Sequence, residues 1–224
     1  MKKICLLVLF VICSLFIVGC KETETGTYSA RPTKAPTSEI RFEPGEKPQV
    51  EIILSNSKSI KLELYPDIAP ITVKNFLTLV QAEFYDGLVF HRVIKNFMIQ
   101  GGGYEYTGHG TSSKKIVEKE AETIVGEFSS NGHTNDLKHT PGVISMARAN
   151  DYNSASSQFF ICVADYSSGD GKYAAFGKTI DEDSLNNAIE ISKKPTSSVT
   201  ISGTKFDDFL DEPIYIRTIR RIDK

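Results

Sequence analysis

From about Val50 onward, short runs of alternating apolar and polar residues are separated by turns rich in Gly, Ser, Asn and Pro. Val50–Leu54 and Ile60–Tyr65 predict two strands joined by the polar turn Ser55–Ser59. In the second, Ile60, Leu62 and Leu64 alternate with Lys61 and Glu63, the period-2 pattern of a strand with one buried face. Pro66 and Pro70 break that pattern. Thr72 then predicts an N-cap, because Val73, Phe76, Leu77 and Val80 follow at helical spacing and share one face. Phe84-Tyr85-Asp86-Gly87 predicts a turn into a strand over Val89–Ile94, with further strands over Met98–Gln100, Val143–Met146, Phe159–Val163 and Ala174–Lys178. A short helix fits Ser184–Ile191, with Leu185, Ala188 and Ile189 on one face. Ile214, Ile216 and Thr218 alternate in a last strand. The mixed charges of Lys114–Glu122 read as solvated surface. Strands outnumber helices and are short, which predicts a mainly β barrel or sandwich with two helices and no internal repeat.

The first residues follow a different pattern. Lys2 and Lys3 precede an apolar stretch from Ile4 to Val18 that is interrupted by Ser14. It is shorter than the roughly 20 residues of a spanning helix, so residues 1–19 read as a signal peptide. Its end, Ile17-Val18-Gly19-Cys20, resembles the lipobox of bacterial lipoproteins, which implies cleavage before Cys20 and a lipidated, palmitate-type anchor on that cysteine. More than one acyl chain gives a stable anchor. Residues 20–48 are poor in apolar side chains and hold Pro32, Pro36, Pro44 and Pro48. They predict a flexible tether whose span, as a coil, is roughly 30 Å. The expected location is therefore the extracytoplasmic face of a cell membrane. Folding falls to residues 49–224.

Composition narrows the function classes. The 224 residues carry a formal charge of −2, and loss of Lys2 and Lys3 makes the remainder more acidic, which argues against a nucleic-acid partner. Of four cysteines, Cys5 and Cys13 leave with the leader and Cys20 takes lipid. Cys162, in the apolar run Phe159–Val163, is left as a small hydrophobe with no intrachain disulfide. His91, His109, His133 and His139 show no metal-ligand spacing, so no metal is expected. Ser145, Ser154, Ser156 and Ser157 lack a Gly-x-Ser-x-Gly setting, and Gly108-His-Gly110 is no phosphate loop. Gly101–Gly103 reads as a tight turn.

Phe90-His-Arg-Val-Ile-Lys-Asn-Phe-Met-Ile-Gln-Gly-Gly102 sets a cation, Arg92, among large apolar side chains. Arg92 is either a paired structural charge or a group aimed at a ligand with a lone pair or carbonyl. A second block, Gly142-Val-Ile-Ser-Met-Ala-Arg148, precedes Asn153-Ser-Ala-Ser-Ser-Gln-Phe-Phe-Ile161. Leu137-Lys-His-Thr-Pro-Gly142 and Asp170-Gly-Lys-Tyr-Ala-Ala-Phe-Gly177 fit the same order. Together these four blocks resemble the cyclophilin family of peptidyl-prolyl cis-trans isomerases, and the resemblance covers most of residues 50–224.

The resemblance implies a closed antiparallel barrel of about eight strands capped by two helices, with isomerase activity and no cofactor. It implies Arg92 as the catalytic arginine, Phe97, Met98 and Phe160 as the lining of a proline pocket, and Gln100 and Gln158 as hydrogen-bonding partners of the substrate backbone. Ala147 falls in the adjacent groove and His91 supports the arginine. Tyr173 replaces a common pocket histidine and Arg148 a groove asparagine. The chain has no Trp, and Asp165-Tyr-Ser-Ser-Gly169 stands where relatives carry one, which leaves Ser168 and Tyr173 at the far rim. The implied partners are proline-containing polypeptides, among them exported proteins; the chain is expected to be monomeric. The alternative reading is a chaperone or adhesin module that binds proline segments without turnover.

Overall fold

A computed structural model describes residues 38–107, 115–201 and 203–223. The predicted leader, Cys20, most of the tether, and Gly108-His-Gly110 lie outside them.

Twelve strands and two α-helices are present among the described residues. Strands β1 (Gln49–Leu54) and β2 (Ser59–Leu64) form the first hairpin, and their alternation is carried into burial: Val50, Ile52, Leu54, Ile60, Leu62 and Leu64 are fully buried. Helix α1 (Pro70–Gln81) follows. Then come β3 (Arg92–Ile94), β4 (Met98–Gly101), β5 (Tyr104–Thr107), β6 (Lys115–Glu118), β7 (Val143–Met146), β8 (Phe159–Cys162) and β9 (Ala175–Thr179). Helix α2 (Glu182–Ser192) and strands β10 (Thr196–Ile201), β11 (Thr204–Leu210) and β12 (Ile216–Arg221) complete the order.

Eight strands build one antiparallel sheet in the order β12-β1-β2-β9-β7-β8-β4-β3. Its edges meet through the chain just before β3: Gly87 N–H donates to Ile216 O, Ile216 N–H to Leu88 O and Phe90 N–H to Ile214 O, at 2.8, 2.8 and 3.1 Å. The resulting mainly β barrel has the two expected helices. Its interior is filled by Phe76, Tyr85, Phe90, Phe159 and Phe176, most of them meeting edge-on or tilted.

Several expectations shift. The helix begins before Thr72, at Pro70, whose missing N–H and fixed φ suit a first turn. Ala69 is the N-cap and offers no side-chain acceptor. The orphan amides are instead capped from afar: the buried Glu127 carboxylate accepts from Ile71 N–H (3.0 Å), Thr72 N–H (2.8 Å) and the Thr72 hydroxyl (2.7 Å). Helix α2 starts at Glu182 because the Asp181 carboxylate caps Ser184 N–H at 2.7 Å. It buries Ser184, Ala188 and Ile191, while Leu185 and Ile189 are only half-buried.

Lys114–Glu122 is not simply solvated. Residues 115–118 form β6, Ile116 is buried, and Lys119 is buried with its ammonium donating to Phe84 O at 2.8 Å. The packed chain also starts ahead of Gln49. Ile40 sits in the main core, Ser38 meets Gln81, and Glu46 pairs with Arg221 at 3.1 Å, so residues expected in the tether pack on the domain.

Candidate active site

Strands β4, β7 and β8 are buried on both faces, and this is what makes a pocket possible. On β8, Phe159 and Ile161 point into the barrel, whereas Phe160 and Cys162 join Met98 in a separate cluster outside it. Strict side-chain alternation on paired strands assigns one face to stability and the other to the site. Phe97, Ala147, Tyr166 and Tyr173 pack against this second cluster.

A pocket of about 260 Å³ opens there, lined by Arg92, Phe97, Met98, Gln100, Ala147, Arg148, Phe160, Tyr166 and Tyr173. Eight of these were singled out in the sequence. Tyr166 was not, although its block was: it takes the rim position that the sequence suggested for Ser168. Its ring meets Phe97 edge-on at 4.8 Å and Tyr173 at 6.0 Å, so aromatic rings fill this wall of the pocket. Burial, with Tyr173 next, pushes the Tyr166 hydroxyl up to about 12, so it stays a neutral phenol.

Two arginines border the pocket, and their surroundings separate their roles. The Arg148 guanidinium lies 4.9–5.1 Å from the ring centres of Phe128, Tyr152 and Tyr173. Its Nε donates to Lys172 O (3.0 Å) and its Nη1 to Ala149 O (2.9 Å) and Asn150 O (3.3 Å). It is a fixed, hydrogen-bonded wall. Arg92 lies opposite Gln100 in the β3–β4 ladder, with its side chain 48% exposed and its Nε 3.7 Å from an Asp208 carboxylate oxygen. The ion pair lies beyond hydrogen-bond length and is half-exposed, so it leaves the guanidinium able to donate into the pocket.

Gln100 and Gln158 are brought together: the Gln100 Nε2 donates to the Gln158 Oε1 at 3.1 Å. Glycines make room for this pair. A Cβ on Gly103 would fall 2.6 Å from the Gln158 side chain, and one on Gly102, at φ +86°, 2.8 Å from Ser157 O. Below the floor, His139 stacks on Phe160 at 5.9 Å and bridges Asp170 (Nδ1, 3.1 Å) to the Ser145 hydroxyl (Nε2, 3.0 Å). Ser145 is fully buried beneath Phe160, so this Asp-His-Ser line holds the floor and offers no nucleophile. Sequence reading had no signal for it, because its members are 6 and 31 residues apart. Burial pushes the Cys162 thiol up to about 12, which keeps it an inert apolar group.

His91 does not line the pocket. It is buried behind it, with its ring 4.7 Å from Tyr104 and 6.2 Å from Phe206, next to Gln158 and the Val89 backbone. Burial lowers its pKa from 6.5 to about 4, and the neighbouring Arg92 charge adds to the effect. The unfolded chain therefore takes up this proton near pH 6.5 and the folded chain only near pH 4, so stability is lost as pH falls through that window. The loss expected from this group is about 3 kcal/mol. Urea titrations at several pH values check it, because His91→Asn is expected to flatten the slope between those limits.

Residues 49–219 match the family described as cyclophilin type peptidyl-prolyl cis-trans isomerase. A peptidyl-prolyl cis-trans isomerase of Acinetobacter baylyi is 43% identical over 149 residues, covering 64% of this chain and 72% of the relative. Isomerase A of Dickeya dadantii is 33% identical over 178 residues, 77% of this chain and 84% of the relative. Among solved structures, a Cryptosporidium parvum cyclophilin type isomerase aligns with a TM-score of 0.62 at 28% identity, over 80% of this chain and 99% of that one. The same protein in the presence of the dipeptide Ala-Pro aligns at 0.59 and 30%, over 79% and 99%. The chain belongs to the cyclophilin family, and the activity that goes with it is peptidyl-prolyl cis-trans isomerisation.

Proposed function

We propose that this isomerase acts on X–Pro bonds of exported proteins while tethered to the outer face of a membrane, with Arg92 as its catalytic group. The observation that carries the mechanism is an available guanidinium at the lip of a pocket that also presents Phe97, Met98 and Phe160. An X–Pro amide resists rotation by ~18–20 kcal/mol because its resonance must be broken. No covalent bond has to form or break. Phe97, Met98 and Phe160 hold the pyrrolidine ring, which has no polar group to satisfy. As the amide twists, the proline nitrogen pyramidalises and regains its lone pair. A hydrogen bond from Arg92 to that lone pair is stronger in the twisted state than in the planar one, which is differential stabilisation of the transition state. The Ala-Pro dipeptide used with the Cryptosporidium relative supports a site of this size and chemistry. In this reading Gln100 and Gln158, which hydrogen-bond each other at 3.1 Å, hold the peptide backbone.

The test is acceleration of cis-to-trans conversion in an Ala-Pro tetrapeptide by the purified chain. Binding of such peptides with rates at background would favour the non-catalytic alternative. The tether reading rests on Ile17-Val18-Gly19-Cys20 at the end of the apolar leader. Metabolic labelling with a radioactive fatty acid is expected to mark the wild-type chain. Cys20→Ser is expected to abolish the label and to move the protein from the membrane fraction to the soluble one. An unlabelled wild type would overturn this part of the proposal.

A further inference from the structure

Beyond the Asp170–Gly177 block and α2, the β10–β11 hairpin lies against β3, the strand that carries Arg92. Two successive residues of the His91-Arg92 pair are each met by a residue of β11. Phe206 faces the His91 ring at 6.2 Å, and Asp208 faces the Arg92 Nε at 3.7 Å. The hairpin is seated by an apolar cluster of its own, formed by Phe206, Phe209 and Ile201 with Val89, Tyr106 and Ile116.

Its pairing contains an irregularity at the residue that matters. Val199 pairs with Phe206 and Ser197 with Phe209, so β11 advances one residue more than β10 across this stretch. The extra residue makes a bulge at Asp207–Asp208. Regular alternation would send Phe206 and Asp208 to one face and Phe209 to the other. The bulge resets the alternation, so Phe206 and Phe209 both enter the cluster while Asp208 keeps its aim at β3. The neighbouring carboxylate is held away on the outer side: Asp207 pairs with Lys205 at 2.6 Å and accepts from the Ser198 hydroxyl at 3.0 Å.

We infer that Asp208 is a positioning residue for the isomerase reaction: it holds the Nε edge of Arg92, so that the other donors of the guanidinium stay directed into the proline pocket. Arg has four rotatable side-chain bonds, and a half-exposed one samples many rotamers unless something holds it. Arg148 is held by three carbonyls and three rings. Among the described residues, Asp208 is the ion-pair partner of Arg92. At 3.7 Å this is a Coulombic restraint on Nε rather than a hydrogen bond, and it biases the fork without occupying its tip. The contribution to stability is small, as for other half-exposed pairs. The contribution to turnover is larger, because a donor displaced by a fraction of an ångström loses its transition-state contact. The inference rests on Arg92 acting on the twisted amide.

The experiment measures kcat and KM for an Ala-Pro peptide, with the Arg92 Nε–Hε signal recorded in ¹⁵N-resolved NMR spectra. Asp208→Asn is expected to lower kcat about 10-fold with KM nearly unchanged, and Asp208→Glu to restore most of it. Glu212→Gln, an equal charge change on the exposed segment after β11, is expected to change neither. The Arg92 signal is expected to shift and broaden in Asp208→Asn alone. An unaltered kcat in Asp208→Asn, or an equal loss in Glu212→Gln, overturns the inference. If the wild-type chain shows no turnover, the proposed mechanism fails first, and an unaltered Arg92 signal in Asp208→Asn then overturns the anchoring by itself.

Discussion

Arg92→Ala is expected to lower kcat/KM roughly 100- to 1000-fold, the size of effect seen when one preorganised donor is removed from a developing charge or lone pair. The melting temperature is expected to stay nearly constant, because the side chain is half-exposed and its Asp208 pair is worth about 0–1 kcal/mol at most. Apolar grip by Phe97, Met98 and Phe160 survives the change, so KM moves less than kcat. Arg92→Lys keeps the charge but loses the planar fork, and is expected to recover only part of the rate. A peptide isomerisation assay paired with a thermal melt checks both halves. Full activity in Arg92→Ala would transfer the catalytic role elsewhere in the pocket. Arg148 is a poor substitute, since its Nε and Nη1 already donate to backbone carbonyls.

Phe159→Ala is expected to produce the opposite pattern, a large loss of stability of about 3–5 kcal/mol. Phe159 is fully buried and meets Phe76, Tyr85 and Phe90 edge-on at 5.8, 5.7 and 6.3 Å. Removing its ring leaves a cavity at the centre of the aromatic core, where neighbours on α1 and on the segment leading to β3 cannot all collapse into it. The folded fraction is still expected to turn over substrate, since Phe160 faces the pocket from the other side of β8. Urea unfolding followed by far-ultraviolet circular dichroism reads the loss. A midpoint close to that of the wild type would show that the core repacks more freely than its geometry suggests.

Adjacent phenylalanines with such different duties also show what a single chain makes legible. The alternation in Ile60–Leu64 and the helical spacing from Val73 to Val80 identify β2 and α1 directly, because one face of each is wet. The pocket residues were legible through the family blocks, and the structure brings eight of them around one cavity. What stayed hidden depends on partners far along the chain. Glu127 caps α1 from 55 residues away, so local reading assigned the cap to the nearest hydroxyl, Thr72. Lys119 looks solvated in sequence, yet its ammonium finds Phe84 O and its stem is buried. The β10–β11 hairpin escaped because most of β10 is exposed and carries no apolar alternation. His91 was placed beside its sequence neighbour Arg92, but it precedes β3 and is buried against Tyr104 and Phe206.

The pairing of β1 with β12 joins residues near position 50 to residues near position 220, from Val50 opposite Arg221 to Leu54 opposite Ile216. Strand β1 therefore leaves the ribosome well before β12 and finds its neighbour on that side only once β12 has been made. Until then the β1–β2 hairpin exposes an unpaired backbone edge and an apolar face, a state prone to pairing with other chains. Loop-closure entropy over such a separation makes this late step slow relative to local hairpin formation. A peptidyl-prolyl isomerase thus has a slow, nonlocal step in its own folding.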